Sequence, residues 1–332
     1  MIITRTPYRV SFFGGGSDFP QYYEKYGGAA LSCTINKYSY IHCRDLPPYF
    51  DHKYRLRYFQ TERVNSLNDI CHPSIRECLR FCTYTHGVEV LHSGDIPAMT
   101  GIGSSSSFTV GLLLALRSLQ GVMMTKRQLA LDAIHVEQCM IKEHVGSQDQ
   151  YAAAFGGFNR FDFGPGKGTF VSPVAIKKNA FDYLQNNLFF LFSGVSRFST
   201  DIQADFTLKI QANTAQLDDM VALVDEAQSL LNGGEERHID NFGRLLHTAW
   251  QIKKSFSKKI SSELTDAIYA KAMEAGALGG KVCGAGGGGF MMFYAQPEYH
   301  DSLKKALSDF LFVPVRMENH GAHIIFYTKD DN

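Results

Sequence analysis

The sequence predicts an α+β fold arranged as two domains. Three observations lead there. Short β-rich runs crowd the first half, long helical patterns fill the second, and strands and helices mix without the strict alternation of a doubly wound sheet. The 332 residues, 45% of them hydrophobic, are enough for two medium cores. The change of character falls near residues 175–185, which divides the chain into 1–178 and 179–332 with no long linker between them.

Charge and composition narrow the class. Lys+Arg and Asp+Glu both total 33, so the formal charge is zero. That balance argues against nucleic acid or an anionic membrane as partner. The seven cysteines are odd in number and form no CxxC pair, which suits a reducing cytoplasm. The opening MIITRTPYRV lacks the apolar core of a signal peptide, and no stretch is long enough to span a bilayer. A soluble, cytoplasmic globular protein is the expectation.

Taken in order, Arg9–Phe13, Ala29–Ile35, Tyr38–Cys43 and Gly87–His92 read as strands bounded by Gly, Pro or Asp. The segment Gly101–Ser107 leads into FTVGLLLALRSL, which is apolar almost all round and therefore a buried helix. Helical spacing of Leu129, Ala133, Val136 and Met140 marks a second helix over Lys126–His144. FNRFDFGPGKGTFVSPVAI reads as a hairpin, so its Gly164-Pro-Gly-Lys167 is a turn and not a phosphate loop of the Walker type. In the second half a strand at Leu188–Gly194 precedes helical patterns over Thr200–Leu231, Asp240–Phe256 and Ser261–Ala277. A glycine-interrupted strand, KVCGAGGGGFMMFY, follows, and one helix and two strands close the chain. Tyr49–Leu67 is polar and aromatic and suits a flap over a ligand, with no motif to say which.

Three glycine-rich segments carry the chemistry. The middle one runs from Pro97 through Gly101, Gly103 and Ser104-Ser105-Ser106 to Ser107, directly before the buried helix. Glycines let backbone N–H groups approach an anion, and a helix start adds orphan donors and partial positive charge. Read alone, such a turn is as often a plain helix cap. The second, Gly284-Ala-Gly-Gly-Gly-Gly289, puts four successive glycines among strand residues, as happens where a ligand or another backbone passes close. The first, Pro7 to Asp18, ends a strand in Gly14-Gly15-Gly16 and delivers Ser17 and Asp18 to its tip, with Arg9 behind. Two acids complete the set. Glu137, on the second helix, suits magnesium, which is held by one carboxylate with hydroxyls, phosphates and waters. Asp149, in Gly146-Ser-Gln-Asp149-Gln150, suits orienting or deprotonating an alcohol. Singly, each acid is more commonly a solvated surface charge.

Together, and in this order, the three segments resemble the GHMP kinases over nearly the whole chain. The resemblance implies a two-domain fold, with an N-terminal part like domain 2 of ribosomal protein S5, a ferredoxin-like C-terminal part and the active site in the cleft between. It implies ATP and Mg²⁺ as cofactors and a small-molecule acceptor. By position, Pro97, Gly101, Gly103 and Ser104–Ser106 wrap the ATP phosphates, and Ser105 and Glu137 share Mg²⁺. Asp149 and Arg9 act at the acceptor hydroxyl, while Gly15, Gly16, Ser17, Asp18, Gly286 and Gly287 line the substrate cleft. Galactokinases carry Glu-His where this chain has Gly15-Gly16, which argues against galactose. The Gly-Gly-Gly-Ser-Asp version is similar to that of kinases acting on D-glycero-D-manno-heptose 7-phosphate, as is the segment Ser193 to Ser199 around Arg197. That likeness implies a heptose 1,7-bisphosphate product, made for nucleotide-activated heptose synthesis. Fucokinase-like or unphosphorylated heptose kinases, and a non-catalytic sugar sensor, are the alternatives. A sugar phosphate needs a second anion site, for which Arg197 is the first candidate and Arg44, Arg55, Lys53 and His42 the others. A homodimer is also expected.

Overall fold

The computed structural model describes residues 1–165, 168–194 and 199–328. The first sheet is built on two long strands, β1 (Ile2–Phe13) and β2 (Gly28–Asp45), joined through the short helix α1 (Pro20–Tyr26). A hairpin, β3 (Tyr54–Arg57) and β4 (Thr61–Val64), precedes helix α2 (Pro73–Phe81) and strand β5 (Val88–Gly94). Then come α3 (Ser104–Leu119), α4 (Lys126–Ile134), α5 (Gln148–Phe155) and the hairpin β6 (Phe158–Gly164) and β7 (Gly168–Pro173).

The second half opens with α6 (Lys178–Asn186), β8 (Leu188–Phe192) and three helices, α7 (Ser199–Lys209), α8 (Thr214–Gly233) and α9 (Glu236–Phe256). It continues through α10 (Glu263–Glu274), β9 (Ala277–Val282), β10 (Phe290–Ala295) and α11 (His300–Ala306). Three short strands finish it: β11 (Leu311–Phe312), β12 (Met317–Glu318) and β13 (His323–Tyr327).

The larger sheet runs β13-β1-β2-β5-β3-β4, with β12 and β6 also on β2 and β7 on β6; the smaller runs β11-β8-β10-β9. β2 is long enough to serve two neighbours, pairing β6 through Gly28–Cys33 and β5 through Ser39–Asp45. The last strands thus return to the first sheet, and the two halves are sewn together by backbone pairing. From Thr6 to Phe13, β1 is buried on both faces. Helices α3 and α5 pack against it, as do α8 and α9. Phe242 of α9 meets the rings of Phe12 and Phe13 at centroid distances of 5.4 and 5.0 Å. One core therefore runs from β1 into the second half, and it holds the far wall of the cleft in fixed register with the near one.

The sequence expectations hold for the buried α3 and for the hairpin over 158–173. Two helices differ. The pattern over 200–231 is broken into α7 and α8 at 210–213, where the Asn213 side chain donates to the Phe256 carbonyl at 3.3 Å. Beyond Ile134, the helix carrying Glu137 widens to π geometry over His135–Ile141. Such widenings reposition a side chain that regular spacing would aim elsewhere. No helix among the described residues is long and apolar enough to cross a membrane.

Candidate active site

Helix α3 begins at Ser104, immediately after Gly103, whose left-handed backbone (φ +75°) lets the loop turn into the first helical turn. Ser104, Ser105 and Ser106 line the larger of two adjoining cavities, about 280 Å³, together with Gly101 and Gly103. Their backbone donors and the helix dipole give this wall an affinity for anions. The four-glycine run lies directly against this loop. A Cβ on Gly284 would stand 2.4 Å from the Gly101 carbonyl oxygen, and one on Gly101 would stand 2.4 Å from that of Cys283. The close neighbour anticipated for these glycines is therefore backbone. Gly284→Ala is expected to destabilise the protein by on the order of 1–3 kcal/mol and to weaken nucleotide binding. Denaturant midpoints and the KM for ATP test this, and unchanged values in both would detach the two loops.

Asp149 sits in the first turn of α5 and receives a two-point contact from Arg9. Arg9 Nε donates to Oδ1 at 2.7 Å and Nη2 to Oδ2 at 2.5 Å, while Nη1 donates to the Gly101 carbonyl at 2.9 Å. The fork fixes the carboxylate and ties it to the serine loop. Asp149 remains 26% exposed. It lines both the larger cavity and a smaller one of about 90 Å³, as does Arg9. The pair marks where the two cavities meet.

Glu137 is fully buried. Its Oε2 accepts from the Ser106 hydroxyl at 2.9 Å and from Gln150 Nε2 at 2.5 Å; Oε1 has no hydrogen-bond partner among the described residues. Burial, with the nearby Glu143 carboxylate, pushes the Glu137 carboxyl up to about 8. An orphaned, dehydrated carboxylate oxygen beside a serine hydroxyl fits a cation. No cluster of three acidic, histidine or cysteine ligands occurs among the described residues. The hydroxyl that reaches Glu137 is that of Ser106; Ser105, expected to share the metal with it, is exposed toward the larger cavity.

The first motif forms the floor of the smaller cavity through Gly15, Gly16 and Asp18. The Asp18 carboxylate accepts from the Gly16 and Gln148 N–H groups at 2.9 and 3.2 Å. Burial pushes Asp18 upward in pKa, the Asp149 carboxylate adds to this, and those N–H groups oppose it.

Several expected site residues stand apart. Ser17 is completely buried, its hydroxyl held 2.9 Å from the Gly14 and Ala29 carbonyls, so it closes the turn and does not face the cleft. Gly287 is also buried and donates its N–H to the Ile260 carbonyl at 2.8 Å; Gly286 does reach the larger cavity. Pro97 lies outside both linings, and its carbonyl caps Thr100. Arg44 and Arg55 are both engaged by Glu89, at 2.5 and 3.0 Å, and line neither cavity. Arg197 falls outside the described residues.

Other residues join the site without having been singled out. The β3–β4 hairpin brings Tyr58 and Phe59 to the larger cavity, so the 49–67 stretch serves the serine-loop side. There His72 stacks on Phe108 with centroids 4.9 Å apart, and Tyr58 meets His72 edge-on. Burial pulls His72 and His92 down to about 4, keeping both neutral. Lys253 and Lys281 line the smaller cavity. Lys253 was detectable as a charge on the apolar stripe of α9 between Trp250 and Phe256.

Comparison with known proteins gives the family. Residues 71–157 match the family model for the GHMP kinases N terminal domain, and 227–311 that for the GHMP kinases C terminal domain. The chain is 30% identical over 324 residues to the D-glycero-alpha-D-manno-heptose 7-phosphate kinase of Campylobacter jejuni, covering 92% of this chain and 93% of the relative. A crystal structure of a D-glycero-D-manno-heptose 1-phosphate kinase from Bacteriodes thetaiotaomicron superposes with a TM-score of 0.81 at 24% identity, covering 99% of this chain and all of that one. Streptococcus pneumoniae phosphomevalonate kinase, in complex with phosphomevalonate and AMPPNP, gives 0.75 at 15% identity over 96% of this chain and 100% of its own.

Proposed function

Because the chain belongs to the GHMP kinases, phosphotransferases that use ATP as donor, we propose that its acceptor is D-glycero-D-manno-heptose 7-phosphate, phosphorylated on the anomeric hydroxyl to the 1,7-bisphosphate. The observation that carries this reading is the Arg9–Asp149 pair, held at the meeting point of a large anion-binding cavity and a small one floored by Asp18. In-line transfer needs the attacking and leaving oxygens on opposite sides of the transferred phosphorus, and two adjoining cavities that meet at Asp149 can hold acceptor and donor in that relation.

In this mechanism the amino end of α3, Gly101 and Gly103 cradle the donor phosphates. Tyr58, His72 and Phe108 offer ring faces for the base. Glu137, with the Ser105 and Ser106 hydroxyls, would hold magnesium, which would supply positive charge against the phosphates. Asp18 accepts hydrogen bonds from sugar hydroxyls. Asp149 orients the anomeric hydroxyl and takes its proton as the new O–P bond forms and the bond from the terminal phosphorus to its bridging oxygen breaks. Arg9 holds Asp149 and faces the developing charge. Residues 1–178 supply the serine loop and acids, and 179–332 the glycine loop and the lysines. The reaction is set in the cytoplasm, where ATP is available.

The test is a panel of acceptors with ATP: heptose 7-phosphate, unphosphorylated heptose, fucose and galactose. The expected result is a kcat/KM for heptose 7-phosphate at least about tenfold above the rest, the discrimination that one well-placed charged hydrogen bond provides. Equal or greater activity on fucose would replace the acceptor assignment.

A further inference from the structure

The smaller cavity carries a charge imbalance that this mechanism leaves unused. Three basic side chains, Arg9, Lys253 and Lys281, face it against two carboxylates, Asp18 and Asp149. Arg9 commits its fork to Asp149 and the Gly101 carbonyl. Each lysine, by contrast, has one acceptor among the described residues. Lys253 donates to the Gly284 carbonyl, and Lys281 to the Phe12 carbonyl at 2.8 Å. The two are only 8% and 2% exposed. An ammonium has three donors, so each lysine has two beyond its one protein hydrogen bond, at the wall of the smaller cavity. Buried cations are normally paired, and an unpaired one is strongly unfavourable. Neither lysine lines the larger cavity, where the serine loop lies.

We propose that Lys253 and Lys281 form an anion subsite of the acceptor cavity, receiving the phosphate monoester that the sugar already carries. This inference rests on the sugar kinase reading and assigns the residues that select a phosphorylated acceptor. A phosphate dianion brings the lacking negative charge and three acceptor oxygens. The adjoining wall is apolar, from Phe206, Phe256 and Ile260, and excludes water that would screen the contact. The lysines come from two packed elements, Lys253 from α9 anchored on the Gly284 carbonyl and Lys281 from β9 anchored on the Phe12 carbonyl.

Protonation adds a second signature. Burial pulls Lys253 down to about 8; Cys283, Asp18 and Asp149 oppose this and Arg9 reinforces it. Lys281 is pulled well down by burial, with Lys253 and Arg9 reinforcing and Cys283 opposing. In the free protein Lys253 therefore loses its charge as pH rises through about 8, while a bound dianion favours the ammonium. The KM for a phosphorylated acceptor is expected to climb above that pH.

The experiment compares wild type, Lys253→Met and Lys253→Arg on heptose 7-phosphate and unphosphorylated heptose. The ratio of the two kcat/KM values is expected to fall at least about tenfold in Lys253→Met and to recover in part in Lys253→Arg. The alkaline rise in acceptor KM is expected to weaken in Lys253→Arg, because a guanidinium does not titrate there. An equal loss on both acceptors, with the ratio preserved, overturns the subsite and makes the lysine a scaffold for Gly284. Where Lys253→Met fails to fold by circular dichroism, Lys253→Arg decides: a pH profile of acceptor KM identical to wild type overturns the proposal. A wild type that phosphorylates the sugars without preferring the phosphorylated one overturns the subsite alone. One that phosphorylates neither overturns the heptose acceptor assignment with it.

Discussion

Asp149→Asn is expected to lower kcat by about 10²–10⁴-fold, the range lost when a positioned acid–base group is removed, while the KM for ATP stays nearly constant. Asparagine keeps the volume and one acceptor oxygen, so Arg9 can still donate to it and to the Gly101 carbonyl 2.9 Å away. What is lost is the charge that orients the acceptor hydroxyl and the site to which its proton moves. The two readouts separate chemistry from scaffold. A fall in kcat with nucleotide affinity retained places the defect at transfer, whereas an equal loss of ATP binding would mean that the Arg9–Asp149 pair mainly braces the serine loop. An unchanged kcat would remove Asp149 from the mechanism.

Glu137→Gln is expected to reduce kcat at moderate Mg²⁺ by about 10²–10³-fold, comparable to deleting one preorganised charge-stabilising group. The pH dependence gives the sharper test. The Glu137 carboxyl, raised to about 8 from an ordinary 4.5, is protonated in the metal-free protein at neutral pH. Magnesium must displace that proton, so apparent Mg²⁺ affinity should rise with pH up to about 8 and level off beyond it. Its effect on stability has a definite sign. Folding favours the protonated acid, a contribution present in full below pH 4.5 and lost as pH climbs through about 8. Without metal, the melting temperature should therefore fall across that window, and Mg²⁺ should restore it. In Glu137→Gln both slopes should disappear; a Mg²⁺ titration and melting curves at pH 6 and 9 measure them. Retention of the wild-type slopes would assign the metal to another group.

The order of the three glycine motifs was readable because each encodes a backbone demand that local sequence cannot hide. Gly101 and Gly284 are glycine because each backbone passes where the other's Cβ would stand, and the serine run is placed by the apolar helix behind it. Arg9, Asp18, Glu137 and Asp149 could be nominated on the same basis, since each lies beside or between those motifs. Which serine touches Glu137 was not readable. Glu137 lies in the π-helical turn over His135–Ile141, whose spacing departs from that of a regular helix, and its carboxylate accepts from Ser106. Ser17 was misjudged for a related reason. Turn sequence does not say whether a hydroxyl points into a cleft or back to its own carbonyls.

The linear sequence by itself determined the α+β class and nominated the serine-capped helix start and the acids Glu137 and Asp149, because these follow from local glycine, serine and apolar patterns. Only the tertiary structure decided which cations reach the smaller cavity and which rings reach the larger one. Lys253 and Lys281 come together from α9 and β9, and Tyr58 and Phe108 from a hairpin and a distant helix. Their charges and faces acquire meaning only when burial removes water and sets them opposite one another, and burial is a property of the packed chain.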